Sequence, residues 1–154
     1  MVRYNIYDFF SPLRNRTPMY TGEETLKHLK SYIWGLVYSL EHIENSEITG
    51  FLIGDDFDMW VASKFGVRTP TAGWANIITA IAFGVPASKI NQPDFNWGEF
   101  DKNATKHEHY KSINMFFDLF DEYHEYWLKK EEKVVVSSKG DHNNFPVIDY
   151  RLPE

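Results

Sequence analysis

The chain has 154 residues, with 43% hydrophobic and 17% aromatic content, enough for one domain with its own core and too apolar for a disordered chain. There are no cysteines, which excludes disulfides, thiolate catalysis and Cys-ligated zinc. The formal charge of -6 argues against nucleic acid and anionic membranes as partners and favours basic proteins.

The start, "MVRYNIYDFFSP", holds one basic residue and no apolar run of signal-peptide length. The longest apolar stretch, "IITAIAFGV", is far short of the roughly 20 residues of a membrane helix. These features predict a soluble cytoplasmic protein of a single domain, residues 1–154.

Four helical segments follow in chain order. The first is expected to start at Thr21, where Thr21 and Glu24 have the capping-box spacing. Leu26, Leu29, Ile33, Leu36, Val37, Leu40 and Ile43 then step by three and four along one face, and the helix is expected to end near Asn45. Gly35 inside it suggests a close helix contact, and Trp34 reads as core. The second, "DDFDMWVASKFG", is capped by Asp55 or Asp56, turns Phe57, Trp60, Val61 and Phe65 inward, and stops at Gly66. The third, "TAGWANIITAIAFG", takes Thr71 as cap, buries Trp74, Ile77, Ile78 and Ile81, and ends at Gly84. A Pro-, Asn- and Asp-rich loop follows, which Phe95, Trp97 and Phe100 should pin to the body. The fourth runs from about Ala104 to Glu131, with Ile113, Phe116, Phe117, Phe120, Trp127 and Leu128 in a stripe and Asp118, Asp121, Glu122 and Glu125 mostly opposite. Beyond it, in residues 133–154, "KVVVSS" and "FPVIDY" flank the turn-rich "KGDHNN". They suggest a small C-terminal hairpin, with an unstructured tail as the alternative.

The most motif-like stretch is "RNRTPMYTGEET", residues 14–25. Its first nine residues resemble the R-x-R-P-x-M-Y-x-G stretch of gyrase-type ATPase domains, with Glu41 and Asn45 at the positions of that family's ATP-site Glu and Asn. The likeness ends near residue 45, and neither an Asp-x-Gly-x-Gly turn nor a glycine-rich lid follows. A helix entrance explains every residue: Pro18 stiffens it, Met19 and Tyr20 staple it, and Arg14 and Arg16 face the acidic helix start.

The other reactive residues assemble no site by spacing. "HEH" at residues 107–109 is not the H-E-x-x-H zinc helix, because histidines two apart point in different directions on a helix. Asp55, Asp56 and Asp58 suit a helix start and lack the alternating ligands of a calcium loop. No catalytic, cofactor or metal residues are assigned.

The order "RNRTPMYTG", a helix before "GFL", "FDMWVASKFG", "TAGWANII" and "MFFDLFDEY" resembles small, acidic, mostly helical bacterial immunity proteins of polymorphic-toxin and contact-dependent-growth-inhibition systems. It spans roughly residues 12–128. The resemblance implies a mainly α fold and a non-enzymatic role, plugging a basic, nuclease-like toxin. The helical pattern itself predicts a compact bundle of about four principal helices. Charge on the fourth helix singles out Asp118, Asp121, Glu122 and Glu125 as the partner surface, with the loop around Asp94, Trp97 and Glu99 next. A small enzyme or ligand-binding domain using acidic and histidine residues, and an interaction protein of phage origin, are the alternatives.

Overall fold

The computed structural model describes residues 1–51 and 53–138, and the fold is mainly α. A strand, β1 (Val2–Asn5), pairs in parallel with β2 (Ser46–Thr49), Val2 opposite Ser46 and Asn5 opposite Thr49. Parallel pairing requires a crossover. Here it consists of α1 (Ile6–Phe10), a 3-10 turn (Ser11–Asn15), α2 (Thr17–Thr21) and α3 (Leu26–Glu41). After β2 come α4 (Asp55–Lys64), a 3-10 turn (Pro70–Ala72), α5 (Trp74–Ala82), α6 (Ala87–Ile90) and α7 (Lys106–Ser138). The sheet has no counterpart in the sequence reading. Four-residue strands are too short to show an alternation.

The core forms where α5 crosses α7 and α4 closes over both. Trp74 stacks on Phe116 with ring centroids 4.7 Å apart, and Phe57 meets both rings edge-on. Trp74, Ala75, Ile77, Ile78, Thr79 and Ala80 are all buried, so α5 is covered nearly all round and is the central helix. Each large side chain buried in this way contributes about 1.5–3 kcal/mol. The inward stripes are confirmed for Phe57 and Val61, for Ile77 and Ile78, and for Ile113, Phe116, Phe117 and Phe120.

Helix ends depart from the expected caps. The Thr21–Glu24 capping box does not form. Thr21 closes α2, its hydroxyl donating to the Thr17 and Glu23 carbonyls, and α3 is capped instead by Thr25, whose Oγ1 accepts from His28 N–H. Asp55 and Asp56 do not cap α4, whose N-cap is Gly54, and Thr71 lies in the turn before α5. The carboxylate that starts α5 comes from α4: Asp58 Oδ1 accepts from Trp74 N–H at 2.5 Å. Gly66 does end α4, at φ 68°, with Val67 N–H donating to Ala62 C=O. At α7 a capping box forms between Thr105 and Glu108, each backbone N–H donating to the other's side chain, so Glu108 of "HEH" is a helix-start residue. Those bonds from Thr105, backbone first, hold the Glu108 carboxyl below its ordinary range.

Two further expectations fail on α3. Among the described residues a side chain at Gly35 would meet nothing within 4 Å, so none of their helices approaches closely there, and Trp34 is 52% exposed. The helix ends at Glu41, leaving Asn45 in a turn at φ 60°, off the helix that the ATPase likeness would require. At the other end α7 continues through Lys133–Ser138, so the first half of the expected hairpin is helical; the remainder lies outside the described residues.

Candidate functional site

Asp118, Asp121, Glu122 and Glu125 occupy positions i, i+3, i+4 and i+7 of α7, which puts them on one face. The buried stripe of Phe116, Phe117, Phe120 and Tyr123 holds the opposite face inward, so the four carboxylates are exposed. The structure does bring these residues together.

It also brings partners that spacing could not reveal. Arg14, from the 3-10 turn, donates to Asp118 at 2.5 Å and lies 3.8 Å from Asp121. The arginine expected to serve the start of α3 therefore ties the N-terminal segment to α7, and Met19, 79% exposed, is no staple. Lys64 at the end of α4 pairs with Glu122. Tyr7 of α1 donates its hydroxyl to Asp121 Oδ1 at 2.8 Å, and its ring stacks on His124 at 3.7 Å. Asn5 aims α1 by accepting from the N–H groups of Tyr7 and Asp8.

The electrostatics of this face are visible at Tyr7. Its phenol is pushed above the ordinary value first by the hydrogen bond to Asp121, then by burial, then by the charges of Asp121, Glu125 and Asp8. A negative field disfavours a second negative charge. Around Tyr7 and along the face, Asp8, Asp118, Asp121, Glu122 and Glu125 stand against Arg14 and Lys64. Five carboxylates less two cations leaves three negative charges, half of the chain's formal -6. Phe9, 39% exposed, adds apolar surface next to Asp8.

The second expected surface is separate. Phe95, Trp97 and Phe100 form an aromatic cluster that reaches Phe83, so Trp97 is half-buried and pins the loop. Asp94 and Glu99 are exposed, and Glu99 pairs with Lys102. Phe83 meets His109 of α7 edge-on. His109 precedes Asp121 by twelve residues, or about 18 Å of helix.

Among the described residues no three of His, Asp or Glu are placed to hold a metal ion. Among them, too, no helix is long and apolar enough to cross a membrane. Compared with known proteins, the chain matches no protein-family model, no curated protein and no solved structure.

Proposed function

We propose that this protein is a non-enzymatic binding module of the immunity type. Built around four principal helices, it acts in the cytoplasm and neutralises a cognate cationic toxin domain by covering its active site. The observation that carries the reading is the acidic face of α7 together with Asp8 of α1, where five carboxylates against Arg14 and Lys64 leave three negative charges. A nuclease-like toxin concentrates lysines and arginines to hold phosphate. A surface of opposite sign steers such a partner at encounter and occupies the same donors. The groups act as acceptors of hydrogen bonds and as fixed charge, with no proton transfer.

The test is association kinetics against the toxin domain encoded directly beside this protein's gene. Asp8→Lys with Glu125→Lys should slow association by about tenfold or more at low salt and flatten its salt dependence. Parent-like on-rates with an unchanged salt slope would overturn the assignment of this face. If no neighbouring product binds at all, the immunity reading fails, and a ligand that raises the melting temperature would then favour an enzyme.

A further inference from the structure

A second surface shares no residue with the acidic face. Between α3 and the start of α5 lies an open cleft of about 370 Å³, lined by Lys27, Lys30, Ser31, Trp34, Ala75 and Asn76. Its volume falls in the range that takes one small ligand or one or two inserted side chains. Core packing accounts for Leu26, Leu29, Ile33 and Leu40 on α3. It does not account for Trp34, 52% exposed, or for Tyr38 one turn later, 63% exposed. Four residues apart, the two rings stand on the same side of the helix. Tyr38 is braced from the next turn by His42, ring to ring at 4.2 Å. Large aromatics left in water are the residue types that dominate protein interfaces.

The strip has a direction. Lys27 and Lys30 lie at its N-terminal end and Glu41 at the other. Both lysines have close neighbours behind them. Asp101, whose side chain is 13% exposed, sits 2.9 Å from Lys27 Nζ, while the Lys27 side chain is 51% exposed. Lys30 Nζ lies against Gly73, 3.1 Å from where a Cβ would stand, and Asp58 Oδ1 is 3.9 Å from the same position. An ammonium group has three donors, so the half-buried Asp101 carboxylate fixes Lys27 from one side and leaves directions open toward the cleft. Held lysines lose less side-chain freedom on binding than mobile ones.

We propose that this cleft docks an acidic segment of a partner protein, which lays an apolar side chain on Trp34 and Tyr38 and turns a carboxylate toward Lys27 and Lys30. Charge complementarity selects this occupant. The surface sets Lys27 and Lys30 beside aromatic rings in a chain of formal charge -6, so a basic segment fits the acidic face of α7 and an acidic one fits here. The inference does not depend on the immunity reading.

The experiment is a backbone and indole NMR titration of the full chain. The probe is the peptide acetyl-Glu-Asp-Leu-Phe-Glu-Asp-amide, with its Phe→Ser analogue and an all-lysine analogue of its acidic positions as controls. Saturable shifts confined to Ser31, the Trp34 indole N–H, Ala75 and Asn76 are expected, weaker by about tenfold for the Phe→Ser peptide. Trp34→Ala should weaken binding by a similar factor while the shifts of buried core residues stay unchanged. Lys30→Gln should weaken the acidic peptide and leave the basic one indifferent. Should Lys30→Gln disturb the fold through Asp58, the Trp34 variant still decides. Absence of saturable shifts, equal binding of the basic peptide, or shifts that follow protein concentration without peptide would each overturn the proposal, the last in favour of a second copy of the chain.

Discussion

Asp58→Ala should lower the stability of the whole domain by about 2 kcal/mol. The carboxylate accepts from Trp74 N–H at 2.5 Å, in a partly buried position where α4 meets the first residue of α5. Loss of a helix N-cap acceptor costs about 0.5–2 kcal/mol, and loss of a hydrogen bond to a charged group about 1.5–3 kcal/mol. The upper part of the cap range applies, because α5 is the central helix and Trp74, next to the lost bond, is 1% exposed. Urea unfolding followed by far-ultraviolet circular dichroism measures the change. The denaturant slope should stay constant while the midpoint falls, and the melting temperature should drop by about 4–8 °C. Asp58→Asn keeps an acceptor oxygen without the charge and should cost about half as much. A parent-like Asp58→Ala protein would refute the role of this bond. An Asn variant as unstable as the Ala variant would show that the charge beside Lys30, and not the cap, is what matters.

Other positions test other links of the same argument. Thr25→Ala should cost about 1 kcal/mol, as loss of the α3 cap, and Thr21→Ala should cost less; the reverse order in the same unfolding assay would restore the capping box at Thr21. Gly73→Ala should destabilise by about 1–3 kcal/mol, because Gly73 sits at φ 82° and its added Cβ would crowd Lys30 Nζ. Tyr123 should make the fold sensitive to alkali. Burial, with Asp56 and Tyr126 adding to it, pushes its phenol up to about 12. The neutral ring is the form that folds, so its contribution is complete below the unfolded value of about 10 and is lost as pH rises toward the folded one. Unfolding across that window should show a decline of up to about 3 kcal/mol that Tyr123→Phe flattens; an equal decline in the variant would assign it elsewhere.

The parts of the fold legible in the sequence are those with long periodic signals. The α7 stripe and the apolar α5 were readable because many buried residues repeat at helical spacing, and Gly66 was readable because a helix stop needs a left-handed residue there. What could not be read is set by contacts between distant segments. Asp58 was one of three acids at a helix start until α5 folded back onto it. Arg14 looked local to residues 14–25, yet its partner is 104 residues away. Thr21 and Thr25 both stand before the long apolar stripe of α3, and only the chain's path through α2 decides between them. Trp34 followed the hydrophobic expectation for its residue type and not its helix position. On the wheel it falls outside the stripe of Leu26, Leu29, Ile33 and Leu40, and that offset was the available signal for an exposed ring. The site was legible as a list of acids on one face. The cations that reduce it came from α4 and from the turn before α2.

Those cations change how the acidic face has to be probed. Asp121 holds the Tyr7 hydroxyl and lies near Arg14, and Asp118 holds Arg14 directly, so both tie the N-terminal segment to α7. Reversing either one alters the fold and the field together, and a slower association would then have two causes. Asp8 and Glu125 act on Tyr7 through charge, and no ion pair joins either of them to another side chain among the described residues. Replacing both by lysine moves the formal charge from -6 to -2 and leaves the Tyr7–Asp121–Arg14 contacts in place. Surface ion pairs are worth little to stability, about 0–1 kcal/mol each, while steering acts through the summed field within about a Debye length of 8–10 Å. The double reversal therefore separates the two roles: an unchanged melting temperature with a lower on-rate assigns the field to encounter, and a lowered melting temperature with a parent-like on-rate assigns it to the fold.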